Sequence, residues 1–584
     1  MFPLLDLSKI DEAFPMESYR EGQKACIEFA VKAFNNGKRI VILECPTGSG
    51  KSAIGMTLSN MVSDSFYLTI TKILQDQLVT DFPSLVELKG RSAYPCTFYK
   101  RMGEQLVAKK AMSTQELMER TIKSPDCNSG YCKTRSYLNS GTDKLGKGMC
   151  EQCFPTSAPS LRNVEVKVPK GVVQSLPLSM TYSACPYYEQ VYKSINAKQV
   201  VMNFSSFLYQ TTLTKRFNMV RDLMIIDEAH NIESQILDFV SFTISDELLV
   251  EHGIYIPKLK TAKDYSVWFD EIKLVEMIYK LISLHEASGN SEKADELEKL
   301  SKKLEMFMMN ITQPDAEWVI EYEESFTEES NFRKLTLKPV YAHGFAEQLL
   351  FSFGKRILLL SATILDVDVM SRSLGIDRNE IAAYRMKNRF PVKNRPIYYT
   401  PVAYMTGGKD KMHEWIPKLL SGIERILDEY PDKRGIIHTH NNAIMEAVST
   451  KLHKKYFSRL ITQREFPDKK DLLLVHSKRP NSVIVAPAMH EGINLIDDLS
   501  RFQIICKVPY ANFFENEQLA RRVKVDPKYY QWMTALKLIQ SYGRSIRSET
   551  DYADTFILDQ AFNKFVKDAK NLLPGWFLEA IIWP

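Results

Sequence analysis

Apolar and polar positions follow two rhythms along this chain. Short uninterrupted apolar runs occur at Ile40-Val41-Ile42-Leu43, at Ser65–Ile70, within Asp222-Leu223-Met224-Ile225-Ile226 and at Arg356–Leu360. Runs of this length, bounded by polar or glycine-bearing stretches, predict strands buried on both faces, as in a parallel sheet. Around them the spacing is helical. Residues 17–37 read as an amphipathic helix closing at Asn36-Gly37, and Ala53–Met61 reads as a second helix. From about 235 to 335 the period is again helical. Leu297, Leu300, Leu304 and Met308 form one stripe, Asp295–Lys299 and Glu298–Lys302 are i,i+4 pairs, and Gly289-Asn290-Ser291 breaks the run into two helices. The Met-rich end of this stretch (Met306, Met308, Met309) reads as core. Beyond about residue 395 a second α/β pattern appears, with strands expected at Gly435–His438, Ser482–Ala486 and Phe502–Val508. The pattern as a whole predicts two α/β halves, the first interrupted by long insertions.

Length and composition sharpen this only slightly. The 584 residues allow three or four domains, and 45% hydrophobic with 25% charged residues is ordinary for a soluble globular chain. A net charge of +5 means that any nucleic-acid surface must be a local stripe. No apolar run approaches the roughly 20 residues of a spanning helix, and MFPLLDLSKIDEAF lacks the basic and apolar regions of a secretory signal. An intracellular protein (cytoplasm, nucleoid or nucleus), neither secreted nor in a membrane, is expected.

The chemistry begins at Glu44–Ser52, ECPTGSGKS, between a predicted strand and a predicted helix. This is the layout of a phosphate-binding loop. Backbone N–H groups of Pro46-Thr47-Gly48-Ser49-Gly50 and of the helix start face phosphate, with Lys51 reaching the β- and γ-phosphates and Ser52 holding Mg²⁺. Cys45 stands where glycine or alanine usually opens the motif. Upstream, Gln23 can read an adenine edge through paired hydrogen bonds. The second signature, DLMIIDEAH at Asp222–His230, delivers Asp227 and Glu228 to the carboxyl edge of a sheet. Asp227 suits a water-mediated Mg²⁺ ligand, and Glu228 the base that orients an attacking water. In the second half, Met489–Leu495 places Gly492 in a loop after a strand, and QSYGRSIR puts Gln540, Arg544 and Arg547 on one helical face. The planar, permanently charged guanidinium suits a γ-phosphate in its transition state. In Thr71–Leu78, TKILQDQL, the Thr, Lys and Gln residues either touch a phosphate backbone or form a capped surface helix.

Six of the nine cysteines (Cys96, Cys127, Cys132, Cys150, Cys153, Cys185) lie within one ninety-residue stretch. In a chain without an export signal, this favours metal over disulfides. Thiolates select zinc or an iron–sulfur cluster. Cys127, Cys132, Cys150 and Cys153 have the spacing of a Cys₄ zinc ribbon, and four ligands chosen from all six could hold iron–sulfur instead. Lys89, Arg91, Tyr94, Tyr99, Lys100, Arg101, Tyr187 and Tyr188 surround them, which fits either a single-stranded nucleic-acid contact or the packing of a small metal domain.

The motifs ECPTGSGKS, TITKILQDQL, DEAH, Ser361-Ala362-Thr363, HEGINL and QSYGRSIR, in this order, resemble those of superfamily 2 helicases. Cysteines between the P-loop and DEAH, a helical insert between DEAH and SAT, and CPYY at the last cysteine resemble the XPD/DinG-type iron–sulfur DNA helicases. The resemblance implies two RecA-like parallel-sheet domains with a cysteine-rich metal-binding insertion and a mainly helical, arch-like insertion in the first. Its boundaries would be residues 1–90, 187–235 and 336–395 for the first RecA-like domain, 91–186 for the iron–sulfur insertion, 236–335 for the arch and 396–584 for the second RecA-like domain. It further implies ATP and Mg²⁺ as cofactors, a [4Fe-4S] cluster with Zn²⁺ as the alternative, and single-stranded DNA and duplex junctions as partners, with 5′→3′ unwinding. Gln540, Arg544 and Arg547 would reach the nucleotide from the second domain, and the Ser361–Thr363 turn would couple hydrolysis to strand movement. By context Cys96 and Cys185 match the outer cluster ligands. Cys127 and Cys132 resemble the DinG-type inner pair, and Cys150 and Cys153 the archaeal XPD one. The alternatives are an RNA-directed DEAH helicase, a translocase that remodels nucleic-acid complexes, and a zinc-bearing nucleic-acid-binding protein on a scaffold motor core.

Overall fold

The computed structural model describes residues 3–94, 163–168, 172–177, 186–287, 291–312, 317–326, 331–405, 411–487, 495–513, 516–546 and 550–584. The chain forms two compact units. One comprises Met1–Met61, Ile226–His230 and Arg356–Pro584, the other Val62–Ile225 and Asn231–Lys355. The expected α/β class with parallel sheets is present.

In the first unit the strand Ile40–Glu44 is buried along its whole length. It runs parallel to its neighbours on both sides, with Ile40 opposite Ile357 and Ile381 and Glu44 opposite Ser361 and Arg385. Branched side chains on both faces are what a central parallel strand requires. The helix Gln23–Asn35 buries Cys26, Ile27, Ala30, Val31 and Phe34, the i, i+4, i+8 stripe that packs on a sheet, and ends where Gly37 takes φ +83°. Residues beyond 396 build a second sheet, all parallel. Its order is Leu460–Thr462, Val483–Ala486, Gly435–His438, Phe502–Ile505, Asp554–Asp559, Ile397–Ala403, Ile581–Ile582. The three strands expected from sequence fall side by side in it. Gly435 is required there, because a Cβ would lie 2.7 Å from the carbonyl oxygen of Phe502 on the adjacent strand. The helix Met412–Glu429 covers this sheet with Trp415, Ile416, Leu419, Ile423 and Ile426.

In the second unit Ser65–Thr69, Gln199–Asn203 and Val86–Leu88 pair in parallel. Thr71 caps the following helix by accepting from the Leu74 N–H at 3.3 Å. Gln75 is buried and donates to the carbonyls of Leu88 and Val201. The capped-helix reading of this segment therefore describes its local structure. Tyr94, Tyr187, Tyr188 and Arg91 pack on one another, with Tyr187 and Tyr188 buried and the Arg91 guanidinium 5.3 Å from the Tyr187 ring centroid. For these residues packing, not an open stacking surface, is the observed role. Tyr99, Lys100 and Arg101 lie outside the described residues.

The inserted segment after DEAH carries helices Ala262–Glu271, Leu274–Ala287 and Ser291–Asn310. Leu297 and Leu304 are core residues and the Glu298–Lys302 pair closes at 2.6 Å, as their spacing implied. Of the Met-rich end, Met306 is core but Met309 is 72% exposed. The helical reading stops short of residue 335. Trp318–Phe326 and Asn331–Pro339 form an antiparallel pair, joined by Phe242–Ser245 in a three-stranded sheet. Glu323 and Glu324 stand opposite Lys334 and Arg333, and Glu321 reaches Lys338 at 2.6 Å. Opposed acidic and basic strands were the sequence signal for this hairpin, and each such pair adds only a few tenths of a kcal/mol.

Candidate active site: a phosphate-binding loop, an Asp-Glu pair and an arginine beyond a helix end

The phosphate loop lies wholly within the first unit. It leaves the buried strand at Cys45, whose N–H donates to the Ser361 carbonyl at 2.8 Å, and the Ser49 N–H turns back to the Pro46 carbonyl. Gly48 and Gly50 take φ of +77° and +78°. Gly50 must be glycine on two counts, since a Cβ there would also collide with the Gln23 amide nitrogen. Lys51 and Ser52 open the helix Lys51–Asn60, where unpaired N–H groups and the helix dipole favour an anion. Gln23 is buried and braces the loop. Its Nε2 donates to the carbonyls of Ser49 (3.0 Å) and Gly50 (3.2 Å), and its Oε1 accepts from the Arg20 N–H at 2.7 Å. Arg20 in turn donates through its guanidinium to the Gly48 carbonyl.

Asp227 and Glu228 follow a fully buried strand, and Asp227 accepts the Glu228 N–H at 2.9 Å. Glu228 takes φ +52°, an uncommon conformation for a residue with a Cβ and one that aims successive carboxylates differently. Burial and the adjacent Glu228 charge push the Asp227 carboxyl up to about 6, against the opposing pull of Lys51. A carboxylate so destabilised calls for a cation. Because its folded value lies above the unfolded one, its neutral form stabilises the fold, and that stability is lost as pH rises through about 6. Asp227→Asn is therefore expected to abolish Mg²⁺-dependent turnover while raising the stability of the metal-free chain at pH 7, and to flatten the fall in stability between about pH 4 and pH 6. Denaturant melts over this range and at pH 7 check this.

His230 Nδ1 lies 2.8 Å from Ser361 Oγ and 3.6 Å from Glu228. Ser361 Oγ also accepts the Thr363 N–H, and Thr363 Oγ1 lies 3.5 Å from Gln540 Nε2 of the helix Pro527–Tyr542. A chain of contacts thus runs from the Asp-Glu pair through the Ser361–Thr363 turn to the second sheet's helix. One pocket is bounded by Pro46 and Thr47, by Glu228 and His230, and by Gln540 and Arg544. Phe390, Tyr542 and Trp576 form its apolar wall. His230 closes the DEAH motif, whereas these aromatics had no distinguishing sequence signal. Arg547, Gly492 and all six clustered cysteines lie outside the described residues. Among the described residues no group of three or more His, Cys, Asp or Glu side chains could hold a metal, and no helix is long and apolar enough to cross a membrane.

A P-loop and an Asp-Glu strand end share a pocket with Gln540 and with Arg544, which follows the end of a helix packed on a second parallel sheet, the layout of two RecA-like parallel-sheet domains. Residues 172–249 match the DEAD_2 family model, and 423–580 match the helicase C-terminal domain. The chain is 20% identical over 498 residues to the ATP-dependent DNA helicase CHL1 of Debaryomyces hansenii, covering 67% of this chain and 59% of that protein. To its Schizosaccharomyces pombe counterpart it is 22% identical over 400 residues, 60% of this chain and 46% of the other. The chain thus spans less than two thirds of the length of the curated relatives it matches. The solved structure titled "XPD_Helicase" superposes with a TM-score of 0.60 at 15% identity, over 97% of this chain and all of that one. "XPD_APO" superposes at 0.56 and 14% identity, over 95% and 98%. In sequence the chain is thus similar to ATP-dependent DNA helicases of the CHL1 type, and in fold to the XPD structures.

Proposed function

We propose that this chain is an ATP-hydrolysing DNA helicase that moves 5′→3′ along single-stranded DNA and separates duplex ahead of it. The observation that carries the reading is the convergence of Thr47, Glu228, Gln540 and Arg544 on one pocket. The residues fit Mg²⁺-ATP. Gly48 and Gly50 take the left-handed backbone that lets the loop curl around a phosphate, and the buried Asp227 carboxyl lies beside it. Bound there, Mg²⁺ would neutralise charge between the phosphates. Lys51 and the loop N–H groups bind the β- and γ-phosphates, Ser52 and Asp227 hold the metal, and Glu228 accepts a proton from the attacking water. Arg544 and Arg547 stabilise the charge that develops on the transferred phosphoryl, so domain closure completes the site. Grip on the strand then alternates with nucleotide state, through phosphate contacts with little sequence preference.

ATP turnover should rise at least about tenfold on adding single-stranded DNA and much less with RNA. A duplex with a 5′ tail should be separated and one with a 3′ tail left intact. Stimulation by RNA alone would favour the RNA-directed reading, and turnover without strand separation a remodelling translocase.

Six thiols in ninety residues have the donor chemistry of an iron–sulfur cluster. Cys96 and Cys185, with Cys127 and Cys132 or with Cys150 and Cys153, are the proposed ligands. Cys185→Ser should lose iron and unwinding while sparing much of the basal ATPase. Unchanged iron, sulfide and zinc content in that variant would exclude Cys185 as a ligand.

A further inference from the structure

The turn after the strand Gly354–Ser361 is held from a side that neither DEAH nor the helix Pro527–Tyr542 accounts for. Leu365, a buried residue with a branched side chain, takes φ +63°, and the Asp366 N–H folds back onto the Ile364 carbonyl at 2.7 Å. A bulky residue in this conformation is strained and persists only where its surroundings over-determine it. Those surroundings are Glu44 and Arg385. The Glu44 carboxylate, 6% exposed at the end of the P-loop strand, accepts the backbone N–H groups of Ile364 and Leu365 and the Arg385 Nε–H at 2.8 Å. Arg385 also donates to the Leu365 carbonyl at 2.9 Å, so the pair grips the strained residue by both its N–H and its C=O. On its other side the same turn presents the Ile364 carbonyl to the indole N–H of Trp532 at 2.7 Å, and Thr363 to Gln540. Both partners belong to the helix Pro527–Tyr542.

We propose that Glu44 and Arg385 are positioning residues that hold the Ser361–Leu365 turn in the strained form through which occupancy of the phosphate loop reaches Trp532 and Gln540. Glu44 is suited to this because its backbone is one residue from Cys45, where the loop begins, while its side chain ends on the turn. Arg385 sits beside it in register on the adjoining strand. This route enters the turn at Ile364 and Leu365, whereas the one through His230 enters it at Ser361, and both reach Gln540 through Thr363. Together they give the motor two ties between nucleotide and second domain, one reporting the hydrolysis side and the other the base of the loop. The inference rests on the ATP-driven motor reading above.

The test compares the full-length chain with Glu44→Gln, Arg385→Gln and the double variant. It measures ATP turnover with saturating single-stranded DNA and base pairs separated per ATP. Glutamine keeps the shape of Glu44 but turns an amide N–H toward the guanidinium. Each single variant should lose about tenfold in DNA-stimulated kcat with KM for ATP within about twofold, because the ties matter after binding. Base pairs separated per ATP should also fall, and the double variant should be no worse than the poorer single one, as expected of residues acting as one unit. A proportionate rise in KM would show local damage to the phosphate loop and overturn the proposal, as would unchanged kcat and unchanged coupling. Arg385, half-exposed, can be replaced without opening the core, so Arg385→Gln decides the matter should Glu44→Gln fail to fold. If the wild-type chain shows no DNA-stimulated turnover, the motor reading falls and takes this inference with it. Stimulated turnover with unaffected variants overturns this inference alone.

Discussion

Lys51→Ala should reduce DNA-stimulated ATP turnover by about 10³-fold or more, the largest effect expected of any single substitution in this chain. Lys51 begins the helix Lys51–Asn60 immediately after Gly50, beside Asp227 on which its charge acts. Its ammonium is a compact cation in a site built of N–H groups, and no neighbouring cation of the loop can substitute for it. Arg20, whose guanidinium touches the loop, is committed to the Gly48 carbonyl. The variant should fold normally, since the loop is braced by Gln23 and by the Cys45 contact to Ser361, neither of which involves Lys51. Steady-state phosphate release with and without single-stranded DNA measures the effect, and near-wild-type turnover would sink the nucleotide assignment. Loss of the lysine also removes the charge that opposes the rise at Asp227, so residual metal binding should shift to higher pH.

Arg221→Met should be the most damaging substitution for stability, by about 3–5 kcal/mol. Arg221 is 2% exposed at the start of the strand Arg221–Ile226. Its guanidinium donates to the carbonyls of Ala197 (2.7 Å), Lys198 (2.9 Å), Ser65 (3.3 Å) and Ser194 (3.3 Å) and lies 4.5 Å from the Phe66 ring centroid. Several of these carbonyls close the helix Pro186–Asn196, whose negative dipole end compensates a buried cation that cannot lose its proton. Methionine fills much of the space but returns no donor to these carbonyls, of which Lys198 and Ser194 keep only the backbone N–H groups of Ser65 and Ala197. A melting midpoint lower by about 5–10 °C is expected, with hydrogen exchange accelerated first at 194–203. A midpoint within a degree of wild type would show that water reaches the carbonyls and that the arginine is dispensable. The helix it closes starts directly after Cys185, so iron content measured on the same variant reports whether that anchorage also serves the cysteine segment.

What the sequence determined by itself was the chemistry that resides in contiguous residues. A glycine-bearing loop between a β-branched run and a helix specifies its own backbone path, because only glycine takes the φ of Gly48 and Gly50 without strain. An apolar run ending in Asp-Glu specifies a buried strand with carboxylates at its tip, whereas the helical face expected to hold both Gln540 and Arg544 is cut short, because the helix ends at Tyr542 and leaves Arg544 in the turn after Gly543. The more than 120 residues between His230 and Ser361 likewise signalled the helical insertion, since a single parallel sheet needs far fewer. The tertiary structure alone decided how these pieces are braced. Glu44 and Arg385 are 341 residues apart, and neither stands out in its neighbourhood. They become a pair because parallel strands must return through long crossovers, which places in register residues that no local period connects. Gln23 as a brace of the loop, Arg221 as a cap for five carbonyls and the Trp532 contact with Ile364 arise in the same way. The hairpin Trp318–Pro339 escaped notice for a different reason. Its stabilising pattern is charge opposed across two strands, which hydrophobic periodicity does not report.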